Sequence, residues 1–571
     1  MTNPIPNAEF GMRNVEWGIR KRDRDLRPEN DGESMARMRN TNADLLAARL
    51  KAHGVRHAFG IPSGQVLTAI EAFEQHGIRF VLVSHEMTAA FMAQTVGRLT
   101  GVPGLAVATV GPGATNLATG VGGALLDRSP CLVLTGQVPS SQIGRRVQMH
   151  IDHQALFRPL TKASFLLEPG AVVETVDRGV AVATTEPPGP VHLEFPEDFA
   201  AAPAQECPAR LRRAVKDSVG RVTGLEEALA VLRRARRPVA ALGLTAARSG
   251  QGGRIRRLLE RRRIPFVTTM MGKGVIPDDH PLSIGVVGRA RHRWIEEFLA
   301  DADLILGIGY DPVEIGYEDW MPDVPLVHVD REAADVDPRV KVAAELRGDL
   351  AIILPQLLAA DLPEADWDSG AIRAFRARLY RGLRPASRRL QPHQILDLLR
   401  QWLPADGILT CDVGAHTHLV ATQWPVPQPG TLLVSNGWSS MGSAVPAALA
   451  AKLTCPEREV ACIMGDGGFL MLAGEMATAA RLGLKVLFIV LRDGTLSLIE
   501  AKQRKRGYRV VGVDLFHRRY ATPPHYFGVP CVAAGSVQDF CKALARARRQ
   551  SGPMLIEAEV DGSHYERLLY H

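Results

Sequence analysis

The chain has 571 residues, a formal net charge of +7, 46% hydrophobic residues and 23% charged residues. That balance excludes a disordered or fibrous chain and supplies apolar material for three or four domains of about 150 residues. It also argues against a membrane protein: no run approaches the ~18 consecutive apolar residues of a spanning helix, and the N-terminus lacks the apolar stretch of a signal peptide.

Much of the basic excess lies in Arg-rich runs, such as Arg233-Arg234-Ala235-Arg236-Arg237 and residues 254–263. A nucleic-acid surface and a set of solvated helix faces both suit such runs. Aromatic residues do not interleave with them, so the second reading is taken and no nucleic-acid or membrane partner is expected. The seven Cys are scattered and form no C-x-x-C pair. Cys131, Cys411 and Cys462 sit inside apolar runs, which points to a reducing, cytoplasmic setting.

Residues 1–38 are polar and read as a disordered tail, with Met35 and Met38 as alternative starts. From Thr41 a helix cap precedes Leu45, Leu46 and Leu50 at helical spacing. Strands are expected over 57–59, 80–83, 104–110, 131–135 and 191–194, with a helix from Glu86 to about Thr100. Residues 199–220 read as a linker. A second unit has expected strands over 238–242, 265–268, 304–308 and 326–329, followed by a polar, Arg-rich connection over 360–390. A third opens with a helix at Pro392 and has expected strands over 408–411, 431–434, 460–464, 486–491 and 554–558. The alternation predicts an α/β protein of three doubly wound parallel-sheet domains: 39–205, 220–360 and 388–571.

The stretch 460–498 carries the chemistry. A strand ends in the turn Gly465-Asp466-Gly467-Gly468, a helix is expected over 469–482, and a second strand ends at Arg492-Asp493-Gly494-Thr495. Parallel sheets bind ligands beyond the carboxyl ends of their strands, so the two aspartates are expected to meet in one crevice. Hard oxygen ligands and glycine-freed amides suit Mg²⁺ bridged to a diphosphate. A Gly-Asp-Gly turn alone is ordinary turn chemistry; the second carboxylate after a second strand gives it weight.

This pair of turns resembles the cofactor motif of thiamine diphosphate-dependent enzymes, with Arg492-Asp493 where that family usually carries two asparagines. The resemblance extends over about residues 40–565. It implies Mg²⁺ held by Asp466, Asp493 and the Thr495 carbonyl, and diphosphate contacts from Gly465, Gly467, Gly468, Gly414 and His416. Ser435-Asn436-Gly437-Trp438-Ser439-Ser440-Met441-Gly442 is similar to the family's pyrimidine loop. By that match the Ser439 carbonyl accepts from the cofactor's 4′-amino group and Met441 wedges between its two rings, although a buried methionine is also ordinary core.

Glu86, taken alone, is a favourable acid in the first turn of a helix. By the resemblance it is the catalytic residue. It hydrogen-bonds N1′ of the aminopyrimidine and favours the imino tautomer, whose nitrogen deprotonates the thiazolium carbon. Because Glu86 and the metal turn lie in different domains, the resemblance implies active sites between subunits of a homodimer or homotetramer.

Gly111-Pro112-Gly113-Ala114-Thr115-Asn116, Thr135-Gly136-Gln137-Val138 and Arg158-Pro159-Leu160-Thr161-Lys162 are most similar to acetolactate synthases. That match implies a substrate channel near Gly113, Gln137, Arg158, Lys162 and, after the metal turn, Lys502. The implied reaction is decarboxylation of a 2-oxo acid such as pyruvate and transfer of the resulting enamine to a second carbonyl. A simple 2-oxo-acid decarboxylase, a specialised synthase or lyase, and a non-catalytic partner protein remain alternatives. No Trp follows Trp438, where biosynthetic relatives carry one in the acceptor segment. Gly307-Ile308-Gly309-Tyr310-Asp311 lacks an Arg that such enzymes place near FAD, and Gly243-Leu244-Thr245-Ala246-Ala247-Arg248 is no dinucleotide fingerprint, so FAD is not expected, though the sequence leaves it open. The His150/His153 spacing lacks a third ligand for zinc.

Overall fold

The computed structural model describes residues 41–205, 221–288, 293–314, 318–516 and 521–565. The expected tail and most of the 199–220 linker lie outside these residues. Among the described residues three sheets follow one another along the chain. The first contains β1 (His57–Gly60), β2 (Arg79–Leu82), β3 (Gly104–Ala108), β4 (Cys131–Gln137), β5 (Ala163–Leu166) and β6 (Pro190–Pro196). Their order is β2-β1-β3-β4-β6-β5, parallel throughout. The second contains β7 (Pro238–Leu242), β8 (Phe266–Thr268), β9 (Ser283–Val286), β10 (Leu304–Ile308), β11 (Leu326–Asp330) and β12 (Val342–Arg347), in the parallel order β12-β11-β10-β7-β8-β9.

The third contains β13 (Ile408–Cys411), β14 (Leu432–Val434), β15 (Val460–Gly465), β16 (Val486–Arg492), β17 (His525–Tyr526), β18 (Val529–Ala534) and β19 (Met554–Glu559). The order is β14-β13-β15-β16-β19-β18-β17, and only the outermost β17–β18 pair is antiparallel among the described residues. The expected three parallel α/β sheets are present. Central strands such as β4, β7 and β10 are buried along their whole length. This is why they read as unbroken apolar runs rather than alternating ones.

The first and third sheets share a core. Ala89, Ala90 and Ala93 of the helix Glu86–Thr100 and Ala444, Ala448 and Ala451 of the helix Ala444–Thr454 are buried in one hydrophobic cluster. Small residues on both helices allow close packing, and this places the strand ends of the two sheets on a common rigid base.

Several local expectations change. The chain at Gly465 to Gly468 is less a free turn than a strand end running into a helix: β15 includes Gly465 and Asp466 opens Asp466–Leu472. The long helix expected over 469–482 is two, Asp466–Leu472 and Glu475–Leu482, broken at Ala473 and Gly474. The connection over 360–390 contains a helix, Ser369–Gly382, capped by the Asp368 side chain on Gly370 and Ala371. Strands β5, β9, β12, β17 and β18 had no sequence expectation. β12 (VAAELR) is built largely from helix formers, and pairing with β11 overrides that preference. β9 contains Gly285 at φ +129°, a value that interrupts any strand pattern.

Candidate functional site

β15 and β16 are parallel neighbours with Gly465 beside Leu491, so the chain leaves both strands at one level. Asp466 and Asp493 therefore emerge side by side. Asp466 Oδ1 accepts from the Gly467 backbone at 3.0 Å, and Oδ2 accepts from Gly494 N across the crevice at 2.8 Å. Asp493 Oδ1 accepts from Thr495 N at 3.2 Å and Oδ2 from Ser497 Oγ at 2.5 Å. Burial pushes the Asp466 carboxyl up. Burial, with a smaller contribution from the charge of Asp466, pushes Asp493 up to about 6. Two half-desolvated carboxylates in one place are unfavourable as anions unless a cation joins them.

No group of three or more His, Cys, Asp or Glu side chains forms a metal set among the described residues. Two carboxylates and a backbone carbonyl nevertheless match the chemistry of Mg²⁺, which keeps most of its shell for phosphate oxygens and water. The loop holding the Thr495 carbonyl is pinned from outside: Leu496 N donates to Val513 O at 2.9 Å and Leu515 N to Gly494 O at 3.0 Å.

Beside the carboxylates the glycines clear a cradle. A Cβ on Gly467 would stand 2.7 Å from Leu496 Cδ2 and 3.3 Å from Met441 Cε, and one on Gly468 would run into Asp412 Oδ2. Met441 thus reaches the segment that carries Asp466 and Gly467. Asp412, buried at the end of β13, accepts from Gly442 N at 3.0 Å and stitches the Met441 loop beside Gly468. Ser439 holds φ +54°, sparsely populated for a residue with a side chain, and donates its hydroxyl to Asn436 O at 2.7 Å. Gly414 N donates to Thr417 Oγ1 at 2.8 Å, opening the helix Ala415–Gln423. The next residue but one, His416, is buried, and burial pushes its imidazole down to about 4. Its Nε2 has no hydrogen-bond partner among the described residues. An orphaned ring nitrogen, a glycine-lined cradle and a paired-carboxylate turn all fit a diphosphate and its metal.

Glu86 opens the helix Glu86–Thr100, whose cap is His85 Nδ1 accepting from Met87 N at 3.0 Å. Asn116 Nδ2 donates to Glu86 Oε2 at 2.9 Å, and a Cβ on Gly113 would lie 3.5 Å from the other oxygen, Oε1. Asn116 and Gly113 lie in the helix Pro112–Leu126, which begins inside the expected turn with proline in its first residue. The turn before Glu86 is fixed to the third sheet's helices: Ser84 N donates to Glu475 Oε1 at 2.9 Å and Ser84 Oγ to Gly474 O at 3.1 Å. Among the described residues no hydrogen bond joins Glu86 to Asp466 or Asp493.

The expected channel residues divide. Gln137 is fully buried and committed: it donates to Glu194 Oε1 at 2.9 Å and to Ile151 O at 3.2 Å. Lys162 donates to Thr185 O at 2.7 Å. Arg158 is exposed, and Lys502 lies exposed on the helix Ser497–Lys505. Arg492 faces β19, with Glu557 at 3.6 Å and Glu559 at 3.5 Å. It compensates a fully buried glutamate, a neighbour in space that sequence reading had no means to see. The sequence also hid Asp127, whose Oδ1 accepts from Asn436 N and Gly437 N at 3.0 and 2.9 Å.

A buried and a half-buried carboxylate at adjacent strand ends, a glycine cradle and a glutamate held by Asn116 define a cofactor-dependent α/β enzyme built on three parallel sheets. The N-terminal thiamine pyrophosphate-binding domain model matches residues 40–156, the central domain model 225–357 and the C-terminal thiamine pyrophosphate-binding domain model 412–558. The chain belongs to the thiamine pyrophosphate enzyme family. It is 30% identical over 541 residues to an acetolactate synthase of Bacillus subtilis, covering 93% of this chain and 95% of that protein. It is 30% identical over 558 residues to the acetolactate synthase isozyme 1 large subunit of Escherichia coli, covering 93% and 96%. It is 32% identical over 530 residues to a probable 2-ketoarginine decarboxylase of Pseudomonas aeruginosa, covering 90% and 93%.

Proposed function

We propose that this chain is a thiamine diphosphate- and Mg²⁺-dependent carboligase acting on 2-oxo acids, of the acetolactate synthase kind. The observation that carries this reading is the Asp466–Asp493 pair, Asp466 buried and Asp493 half-buried, beside a glycine cradle that Met441 enters. Asp466, Asp493 and the Thr495 carbonyl would hold the metal. Gly465, Gly467, Gly468, Gly414 and the orphaned His416 would receive the diphosphate. Met441 would set the bend of the cofactor, and the Ser439 carbonyl would accept from its 4′-amino group. When bound, thiamine diphosphate supplies a nucleophilic carbon that adds to a 2-oxo acid carbonyl and takes up the electron pair left by decarboxylation.

Glu86 would hold the proton at N1′ through Oε1, since Asn116 occupies Oε2. Gly113, Gln137, Arg158, Lys162 and Lys502 are assigned to the substrate channel. By the resemblance to the family, Glu86 of one copy and the Asp466–Asp493 pair of another would complete the site, in a homodimer or homotetramer with domains at 39–205, 220–360 and 388–571. The free cysteines Cys131, Cys411 and Cys462 are buried, which suits a cytoplasmic protein.

A second reading is favoured by one relative, the decarboxylase of Pseudomonas aeruginosa at 32% identity: release of an aldehyde without transfer to an acceptor. Product analysis after incubation with pyruvate, thiamine diphosphate and Mg²⁺ separates the two. A 2-hydroxy-2-methyl-3-oxo acid supports carboligation and acetaldehyde supports decarboxylation. Turnover of a longer 2-oxo acid, with none of pyruvate, replaces the donor.

A further inference from the structure

Two histidines outside the cofactor cradle, His153 and His192, are fully buried at the first sheet. Gly111 N donates to His153 Nε2 at 3.2 Å. A backbone amide can only donate, so this nitrogen accepts and the proton of the neutral ring lies on Nδ1. His153 Nδ1 therefore donates to Thr135 Oγ1 at 3.0 Å, and the Thr135 hydroxyl donates onward to His192 Nε2 at 2.8 Å. That leaves the His192 proton on Nδ1, which donates to Ser164 Oγ at 2.6 Å. The relay crosses neighbouring strands, from Thr135 on β4 to His192 on β6 and Ser164 on β5. One obligate donor thus fixes the direction of every bond in the series, and each ring nitrogen has a partner.

The surroundings keep both rings neutral. Burial pushes the His153 imidazole down, and pushes His192 down to about 3. Glu194 of β6, 3.7 Å from His153 Nδ1, pulls the other way together with Asp152, while His150 adds to the effect of burial. The Glu194 oxygens are themselves engaged, Oε1 by Gln137 Nε2 at 2.9 Å and Oε2 by Gln154 Nε2 at 2.5 Å. Phe157 packs on His192 with ring centroids 4.4 Å apart. A relay of this kind tolerates little change: a His153 ring that took a second proton would set one N–H against another at Gly111.

The relay ends where Glu86 is held. Gly111 has φ +66°, and a Cβ there would run into the Met149 carbonyl, so the chain just before His153 wraps the turn from outside. Gly111 O accepts from Thr115 N at 3.0 Å and opens the helix Pro112–Leu126. This helix carries both neighbours of the Glu86 carboxylate, Asn116 on Oε2 and Gly113 beside Oε1. Its cap residue, Gly111, has no side chain to cap with, and His153 anchors that residue instead. We propose that Thr135, His153 and His192 form a relay of fixed polarity that positions the Gly111 turn and through it sets the Glu86 carboxylate against the cofactor. His153 is a positioning residue, and its effect on the reaction rests on the reading of Glu86 as the partner of N1′.

The test has one arm without cofactor and one with it, both on the full chain. In the first, deuterium uptake of peptides spanning Gly111 is followed by mass spectrometry. Thr135→Val keeps the shape of the side chain and breaks both of its bonds. The Gly111 amide then exchanges roughly 10-fold faster than in wild type, the ratio that one lost buried hydrogen bond gives. Thr135→Ser, which restores the hydroxyl, returns uptake to about the wild-type rate. In the second arm, with thiamine diphosphate and Mg²⁺ bound, Thr135→Val slows exchange of the thiazolium proton by roughly 10-fold at unchanged cofactor affinity, and Thr135→Ser again restores it. A change confined to stability would lower melting and leave the bound-state rate alone. If Thr135→Val does not fold, Ser164→Ala, at the half-buried outer end of the relay, shifts both readouts the same way by a smaller factor. Gly111 uptake equal to wild type in the folded variant overturns the proposal. So does an unchanged thiazolium rate where Glu86→Gln lowers it. A wild-type thiazolium rate that Glu86→Gln leaves untouched contradicts the reading of Glu86 instead, and the Gly111 amide alone then decides the relay.

Discussion

At the third sheet's crevice, Gly467 and Gly468 clear space, two carboxylates stand together, and His416 keeps a ring nitrogen without a partner among the described residues. At the second sheet's crevice, Glu314 reaches inward and meets Leu244, Thr269 and Met271. Both lie beyond the carboxyl ends of parallel strands. The difference teaches that a switch point is a place where backbone donors converge, and that the chain itself decides whether a ligand or a side chain satisfies them. The third sheet leaves polar groups unsatisfied and like charges adjacent, which costs stability until a ligand arrives. The second meets three of its donors with the Glu314 carboxylate.

The largest expected effect lies on the open side of that contrast. Glu86→Gln keeps the shape and the Asn116 contact but cannot take up a proton. Exchange of the thiazolium proton, followed by quenched-flow NMR, is predicted to fall by ~10²–10⁴-fold. Exchange at the wild-type rate would remove Glu86 from the proton path.

A pH measurement comes next. Burial holds the His416 imidazole near 4 rather than 6.5, so the unfolded chain binds a proton that the folded chain refuses. Stability from this group is complete above 6.5 and is lost as pH falls towards 4, by about 3 kcal/mol. Denaturant titrations of cofactor-free wild type and His416→Asn across this range should show the variant with the shallower slope. Equal slopes would mean that His416 is not neutralised by burial.

A smaller effect tests the cradle. Gly468→Ala forces a methyl against Asp412 Oδ2, and overpacking of this kind costs ~1–3 kcal/mol. The loss should appear as weaker cofactor binding and lower melting together. By contrast Gly483→Ala, at φ +62° with open space around it, should lower melting only, by about 1 kcal/mol. A Gly468→Ala variant that binds the cofactor normally would show that the cradle is not used.

These two crevices were not equally legible in the sequence. Asp466 and Asp493 were readable because each follows an apolar strand and a parallel sheet brings strand ends to one level. Glu86 was readable only through resemblance, since an acid in a first helical turn has an ordinary explanation. Glu314 was invisible: it is one acid in a polar loop, and its role depends on donors more than forty residues upstream. Arg492 looked like a departure from a cofactor motif, whereas its partners are Glu557 and Glu559 on β19. Strand β12 was hidden by its own composition, rich in helix formers, and was set by the strand beside it. What depends on chain neighbours could be read, and what depends on neighbours in space could not.

The most direct test of the central claim is calorimetric titration of thiamine diphosphate with Mg²⁺ into wild type and Asp466→Ala, each checked for folding by circular dichroism. Saturable, Mg²⁺-dependent binding to wild type that disappears in the folded variant is the predicted result. Equal binding to both, or none to wild type, would contradict the assignment of the Asp466–Asp493 crevice as the cofactor site.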